Sequence, residues 1–253
     1  MDNTELIDFW NIHNPKNVVI LSGAGVSTNA GIPDYRSLNN NGLRSLLESG
    51  KPRHEILSHP SIIEFVNIVM CSNPTESHYL AKVLNDKGIL KRVYTQNIDG
   101  LYQKVGIPED KIVEFHGSIS KGSTVMYGDN IPDNVLKMVT EDFIVDNDID
   151  MVIVMGTSLQ VAPFCALPNL VDKHCPRILI DKNPKYAMTN NFSPKNKTEP
   201  DGLYSEPAPL SYIKISGRRV TLRPTWNIKK YLHQLIVESD VDDASRQIIH
   251  NLK

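Results

Sequence analysis

Val18-Val19-Ile20-Leu21-Ser22-Gly23-Ala24-Gly25-Val26-Ser27-Thr28-Asn29-Ala30-Gly31-Ile32-Pro33-Asp34-Tyr35-Arg36-Ser37 is the stretch from which the fold is read. An apolar run that stops at closely spaced glycines describes a buried strand entering a loop whose bare backbone N–H groups a phosphate can approach. Gly23 and Gly25 alone are a weak sign, because the dinucleotide fingerprint has a third glycine where Thr28 stands. Asp34, Tyr35 and Arg36 make the loop specific by adding a charged and aromatic clamp. Outward from this stretch, apolar runs recur at 93–95, 112–115, 151–155 and 177–180, with helix-length segments between most of them. Their hydrophobicity is continuous rather than alternating, as in strands buried on both faces, hence a parallel sheet covered by helices. The expected fold is α/β, a Rossmann-like doubly wound parallel sheet. Ligands of such sheets bind beyond the carboxyl ends of the strands. The polar residues fall there: Gly23, Gln96 to Asp99, His116, Gly156 to Ser158, and Asp181.

The glycine loop resembles the signature of the sirtuin family, the NAD-dependent protein-lysine deacylases. Three further blocks follow in that family's order: Tyr94-Thr95-Gln96-Asn97-Ile98-Asp99-Gly100-Leu101, then Glu114-Phe115-His116-Gly117-Ser118, then Val154-Met155-Gly156-Thr157-Ser158-Leu159-Gln160-Val161-Ala162-Pro163-Phe164. The resemblance runs over about 17–184 and is closest to the branch that deacetylates histones and other proteins, on Gly42-Leu43 and Ser77-His78-Tyr79 as well. It implies a small helical subdomain at about 38–75 beside the cofactor loop. The helically spaced Ile56, Leu57, Ile62, Ile63, Phe65, Val66, Ile68 and Val69 there read as core.

By resemblance, the carbonyl oxygen of an acyl-lysine attacks the nicotinamide ribose of NAD, nicotinamide leaves, and His116 acts as general base on a ribose hydroxyl. Histidine suits that task because its ordinary pKa of ~6.5 lets it take a proton near neutrality. Asn97 is the second catalytic residue, orienting the ribose and a water. The resemblance sets NAD against Gly23, Ala24, Gly25, Ser27, Thr28, Asp34, Tyr35, Arg36, Gln96, Asn97, Ile98, Asp99, Gly156, Thr157, Ser158, Asp181 and Lys182. Asp99 accepts from the carboxamide. Asp181 stands where sirtuins usually have asparagine, and a carboxylate there favours NAD over a 2′-phosphorylated cofactor by repulsion. The acylated peptide is expected to add as a strand along the strand-like segment 123–129, against Val125, Tyr127, Gly128 and Asp129.

The chain departs from the family in its cysteines. Most sirtuins carry a zinc module, two Cys-x-x-Cys pairs, between the His-Gly block and that segment. Here only 118–122 lie between, and Cys71, Cys165 and Cys175 are scattered, whereas a closed zinc site needs four ligands. No zinc is expected, and each cysteine reads as a small buried apolar side chain.

A length of 253 residues fits one catalytic domain over 1–253, with an irregular linker at about 189–210. After it, Tyr212-Ile213-Lys214-Ile215 and Val220-Thr221-Leu222 flank Ser216-Gly217-Arg218-Arg219 as a hairpin, and a helix begins near Thr225 with Ile228, Tyr231, Leu232, Leu235 and Ile236 on one face. A formal net charge of -2 supplies no global basic field, so nucleic acid is not an expected partner. No apolar stretch approaches the ~20 residues of a membrane span. The acidic start Met1-Asp2-Asn3-Thr4-Glu5 argues for a cytosolic or nuclear protein. The expected partner is an acylated protein lysine; the oligomeric state is left open. Two other activities fit the same residues: a protein mono-ADP-ribosyltransferase or NAD glycohydrolase, and a non-catalytic NAD-binding regulatory module.

Overall fold

The computed structural model describes residues 4–34, 37, 43–126, 128–188, 211–214 and 233–253. The strands are β1 (Val18–Ser22), β2 (Leu90–Thr95), β3 (Ile112–Glu114), β4 (Met151–Met155), β5 (Arg177–Asp181), β6 (Ser211–Lys214) and β7 (Gln234–Glu238). They form one sheet in the order β3-β2-β1-β4-β5-β7-β6, with every neighbouring pair parallel. The helices are α1 (Thr4–His13), α2 (Leu43–Leu47), α3 (Arg53–Leu57), α4 (Pro60–Cys71), α5 (Glu76–Asp86), α6 (Leu101–Lys104), α7 (Asp133–Thr140), α8 (Lys185–Ala187) and α9 (Val241–Leu252).

Every residue of β1 and of β4 is buried, which explains their unbroken apolar sequence. Val18 and Ile20 point to one side of the sheet, where Leu6 and Trp10 of α1, Leu80 and Leu84 of α5 and Ile248 of α9 cover them. Val19 and Leu21 point to the other, against Phe143, Phe164 and Leu167. Alternate side chains of one strand thus feed two helical layers, the doubly wound arrangement expected. Helices α2, α3 and α4 bring Leu43, Ile56 and Ile62 together in a separate small core that also packs Met126. From β1 the chain builds outward through β2 to β3, then returns to set β4 on the opposite side of β1. The order of strands reverses at β1 and β4, and at such a switch point open α/β sheets bind ligands beyond the carboxyl ends of the strands.

Three expectations need correction. Leu235 and Ile236 lie not on a helix but in β7, hydrogen-bonded between β5 and β6. A short run of apolar residues does not by periodicity separate strand from helix. A helix, α9, follows β7, and Asp240 at its start accepts the Asp242 amide at 2.9 Å. Of the expected hairpin, 212–214 belong to β6 and pair parallel with β7, while its turn, its second arm, residues 225–232 and the 189–210 linker lie outside the described residues. Residues 123–126, expected as a strand, join no ladder; the Asp129 amide closes a turn on the Met126 carbonyl at 3.0 Å. Among the described residues, no helix is long and apolar enough to cross a membrane.

Candidate active site

The ends of β1 and β4 touch through backbone. The Gly23 amide donates to the Met155 carbonyl at 3.2 Å, and the Gly25 amide to the Gly156 carbonyl at 2.9 Å. A Cβ on Gly25 would lie 2.6 Å from the Gly156 Cα, one on Gly23 would lie 2.7 Å from the Thr157 Cβ, and Gly156 itself holds φ +62. The glycines are needed because two main chains meet here. This corrects the expectation that Gly23 and Gly25 leave bare N–H groups, since both amides are bonded to carbonyls. The loop then runs through two 3₁₀ turns, Ala24–Val26 and Thr28–Ala30, with the Thr28 hydroxyl donating to the Gly25 carbonyl at 3.1 Å. Ala24, Gly25 and Thr28 stay partly exposed.

The β2 loop is stitched onto this floor. Asn97 Nδ2 donates to the Gly23 carbonyl at 3.2 Å and to Ser27 Oγ at 3.1 Å. Ser27 Oγ donates to Asp99 Oδ2 at 2.7 Å, and Asp99 Oδ1 accepts the Leu101 amide at 3.0 Å. The Thr157 hydroxyl donates to Gln96 Oε1 at 2.8 Å, and the Ile98 carbonyl accepts the Ile119 amide at 3.0 Å. Ser27, Gln96, Asn97, Asp99 and Thr157 thereby tie three strand ends together. Gly156, Thr157 and Ser158 form a loop rather than starting a helix.

His116 lies two residues beyond the end of β3, and its Nδ1 lies 2.9 Å from the Gln96 carbonyl. A carbonyl only accepts, so Nδ1 carries the proton and the neutral ring keeps its Nε2 lone pair. Burial pushes the His116 pKa below the ordinary histidine value, against the opposing pull of the Gln96 hydrogen bond. The ring is therefore in its basic form at neutral pH. Gly117, at φ +73, is required because a Cβ there would sit 1.7 Å from the Ser123 carbonyl oxygen. That close approach lets the chain fold back over the histidine, with the Val125 amide donating to the His116 carbonyl at 2.8 Å.

At the far rim, Asp181 Oδ1 accepts the Asn183 amide at 2.7 Å, and Lys182 Nζ pairs with Asp240 at 2.7 Å. The sequence reading missed Ser239 and Asp240. The Ser239 amide bonds the Asp181 carbonyl at 3.1 Å, and Asn29 Nδ2 reaches Asp240 Oδ1 at 3.1 Å and Asp242 Oδ2 at 2.8 Å. The signal was available in the apolar run 235–237 followed at once by polar Glu238-Ser239-Asp240, the same order as at β1. Of the clamp, Asp34 accepts the Ser37 amide at 2.8 Å, while Tyr35 and Arg36 lie outside the described residues, as does Tyr127 of the peptide wall. Gly128 sits in the 126–129 turn at φ +93, and Asp129 Oδ2 accepts the Met126 amide at 2.8 Å. Cys175 is buried as expected, its thiol pushed up to about 12 by burial, but Cys165 is half-buried and Cys71 exposed. Among the described residues, no group of three or more His, Cys, Asp or Glu is arranged to hold a metal ion.

A model of the Sir2 family matches residues 23–124, the span that holds the glycine floor, the β2 loop and His116. The chain is 35% identical over 217 residues to the NAD-dependent deacetylase sir2D of Dictyostelium discoideum, covering 66% of this chain and 39% of that protein. It is 30% identical over 213 residues to the NAD-dependent protein deacetylase sirtuin-2 of Danio rerio, covering 66% and 55%. With the NAD-dependent protein deacetylase HST2 of Candida albicans it shares 31% over 216 residues, covering 68% and 64%. The chain thus spans less than two thirds of the length of each of these relatives. Aligned relatives and converging strand ends agree: residues 23–124 of this chain, which carry the glycine floor, the β2 loop and His116, match the Sir2 family, the sirtuins.

Proposed function

We propose that the protein is an NAD-dependent protein-lysine deacetylase, transferring the acyl group of a lysine to ADP-ribose with release of nicotinamide. The observation that carries this reading is His116, held neutral with Nδ1 on the Gln96 carbonyl beside the network of Asn97 and Asp99. When bound, NAD supplies an electrophilic ribose carbon bearing a cationic leaving group.

The residues fit that cofactor. The joined β1 and β4 loops give its floor, and Ala24, Gly25 and Thr28 are accessible there. Asp99 accepts from Ser27 and Leu101, yet a carboxylate has about four lone-pair sites. Capacity therefore remains for a carboxamide donor. Asn97 is fixed by two bonds, which orients it for a ribose hydroxyl or water. Nε2 of His116 takes the proton of the hydroxyl it faces, as a general base should. The carboxylate of Asp181 repels a 2′-phosphate and so selects NAD. An acylated peptide lies along Val125, Tyr127, Gly128 and Asp129 by strand addition, and the protein acts in the cytosol or nucleus without contacting nucleic acid.

The test is incubation with NAD and an acetyl-lysine peptide, resolving O-acetyl-ADP-ribose from free ADP-ribose and from ADP-ribosylated protein. O-acetyl-ADP-ribose is the expected product. Free ADP-ribose alone, or label on protein, would replace this reading with a glycohydrolase or a transferase. His116→Ala is expected to lose at least ~100-fold in rate while still binding NAD, because a general base typically contributes 10²–10⁴-fold without touching the cofactor's anchors.

A further inference from the structure

The peptide wall is held from two sides, and only one belongs to the sheet. On the inner side the Val125 amide bonds the His116 carbonyl at 2.8 Å and the Ser123 amide bonds the Ser118 carbonyl at 3.1 Å. On the outer side stands Arg53, in the first turn of α3. Its Nη2 donates to the Thr124 carbonyl at 2.8 Å and to Thr124 Oγ1 at 3.0 Å. Its Nη1 lies 3.6 Å from Asp129 Oδ2, the same oxygen that accepts the Met126 amide. One guanidinium therefore spans both ends of the wall, while the Met126 side chain packs on the α2–α4 core.

We infer that Arg53 is a positioning residue for the acceptor peptide, setting the height and register of the wall at Thr124 and Asp129 from helix α3. The inference rests on the deacylase reading above. The attraction to Asp129 is exposed, with side chains 43% and 49% accessible, so its charge adds little energy. What Arg53 contributes is direction: a planar fork with several donors fixes a carbonyl and a hydroxyl of one residue together, whereas a lysine supplies a single rotatable ammonium. The wall leaves the sheet through the short connection 118–122 and joins no ladder. A strand that adds along a wall needs that wall held in register. Without the guanidinium, Thr124 keeps only its inner-side neighbours.

The experiment compares wild type, Arg53→Ala and Arg53→Lys by nicotinamide release at varied acetyl-lysine peptide and varied NAD. Arg53→Ala is expected to raise KM for peptide about tenfold, with kcat and KM for NAD moving less than about twofold; Arg53→Lys should fall between. Hydrogen–deuterium exchange supplies a readout independent of turnover. Amides of 123–126 should exchange faster in Arg53→Ala than in wild type, with those of β2 unaffected. Equal peptide KM and equal exchange overturn the inference, as does a parallel rise in both KM values. Wild type without peptide-dependent turnover sinks the deacylase reading, and the exchange of 123–126 then decides the positioning role separately.

Discussion

At the scale of single residues, the site depends on places where a side chain has no room. Gly25 and Gly156 meet main chain to main chain, with a Cβ on either falling 2.6 Å from an atom of the opposing strand end. Relief requires moving backbone, which is costly in a packed interior. Gly25→Ala is expected to lower Tm by roughly 5 °C or more and to weaken NAD binding, because the floor must shift. Gly31→Ala is the control: at φ +84 it is strained but meets nothing within 4 Å, so it should cost only about 1 kcal/mol. A thermal melt of both variants decides it, and equal losses would sink the argument. The sequence marked these glycines but implied the wrong cause for them. Strand ends are visible in a local apolar pattern; the partner of the Gly25 amide is not, since that bond exists only once β4 lies beside β1. His116 divides the same way. Its place after a strand was legible, while its tautomer follows from the Gln96 carbonyl, which the fold alone brings within reach.

Among elements, α5 links the cofactor floor to the protonation state of the molecule. Thr75, preceding the helix, donates its hydroxyl to the Val26 carbonyl at 2.8 Å and its amide to His78 Nδ1 at 3.1 Å. His78 is fully buried. Burial holds its pKa down at about 4, against the opposing charges of Asp99 and Asp242. The unfolded chain takes up this proton near pH 6.5, whereas the folded chain resists it until the pH is well below that. The contribution to stability is thus complete above pH 6.5 and is lost as pH falls towards 4, by roughly 3 kcal/mol at most. His78→Asn retains an acceptor for the Thr75 amide but does not titrate. Urea midpoints at pH 7 and 5 should therefore fall less in the variant than in wild type; parallel declines would remove His78 from the account. Element type was legible where a run was flanked by its own turn chemistry, as at β1, β4 and β5. At β7 the run Leu235-Ile236-Val237 is too short to separate strand from helix, and only its neighbours in the sheet decide it. Residues 123–126 were misjudged for a related reason: Met126 packs on the α2–α4 core and closes a turn with Asp129, and no strand pairs with the segment.

For the molecule as a whole, the parallel order of strands was readable from repeated buried runs, and the two covering layers follow from it. The family's zinc module has no counterpart in composition, and Arg53 and the α2–α4 core meet the wall it would adjoin. Purified protein is expected to contain no stoichiometric zinc by elemental analysis, and a strong chelator should leave Tm within about 1 °C, since a structural zinc contributes folding free energy directly. One zinc per chain would overturn this. The position of β7 carries a different consequence, one of timing. β7 fills the gap between β5 and β6, yet it follows β5 in the chain only after residues 182–233. Synthesis therefore delivers β5, and then β6, before the strand that joins them. Until 234–238 emerge, the backbone edge of β5 on that side has no neighbour, and the sheet waits for contacts far apart in sequence, the slow kind to form. An unpaired strand edge is where a nascent chain is most exposed to aggregation.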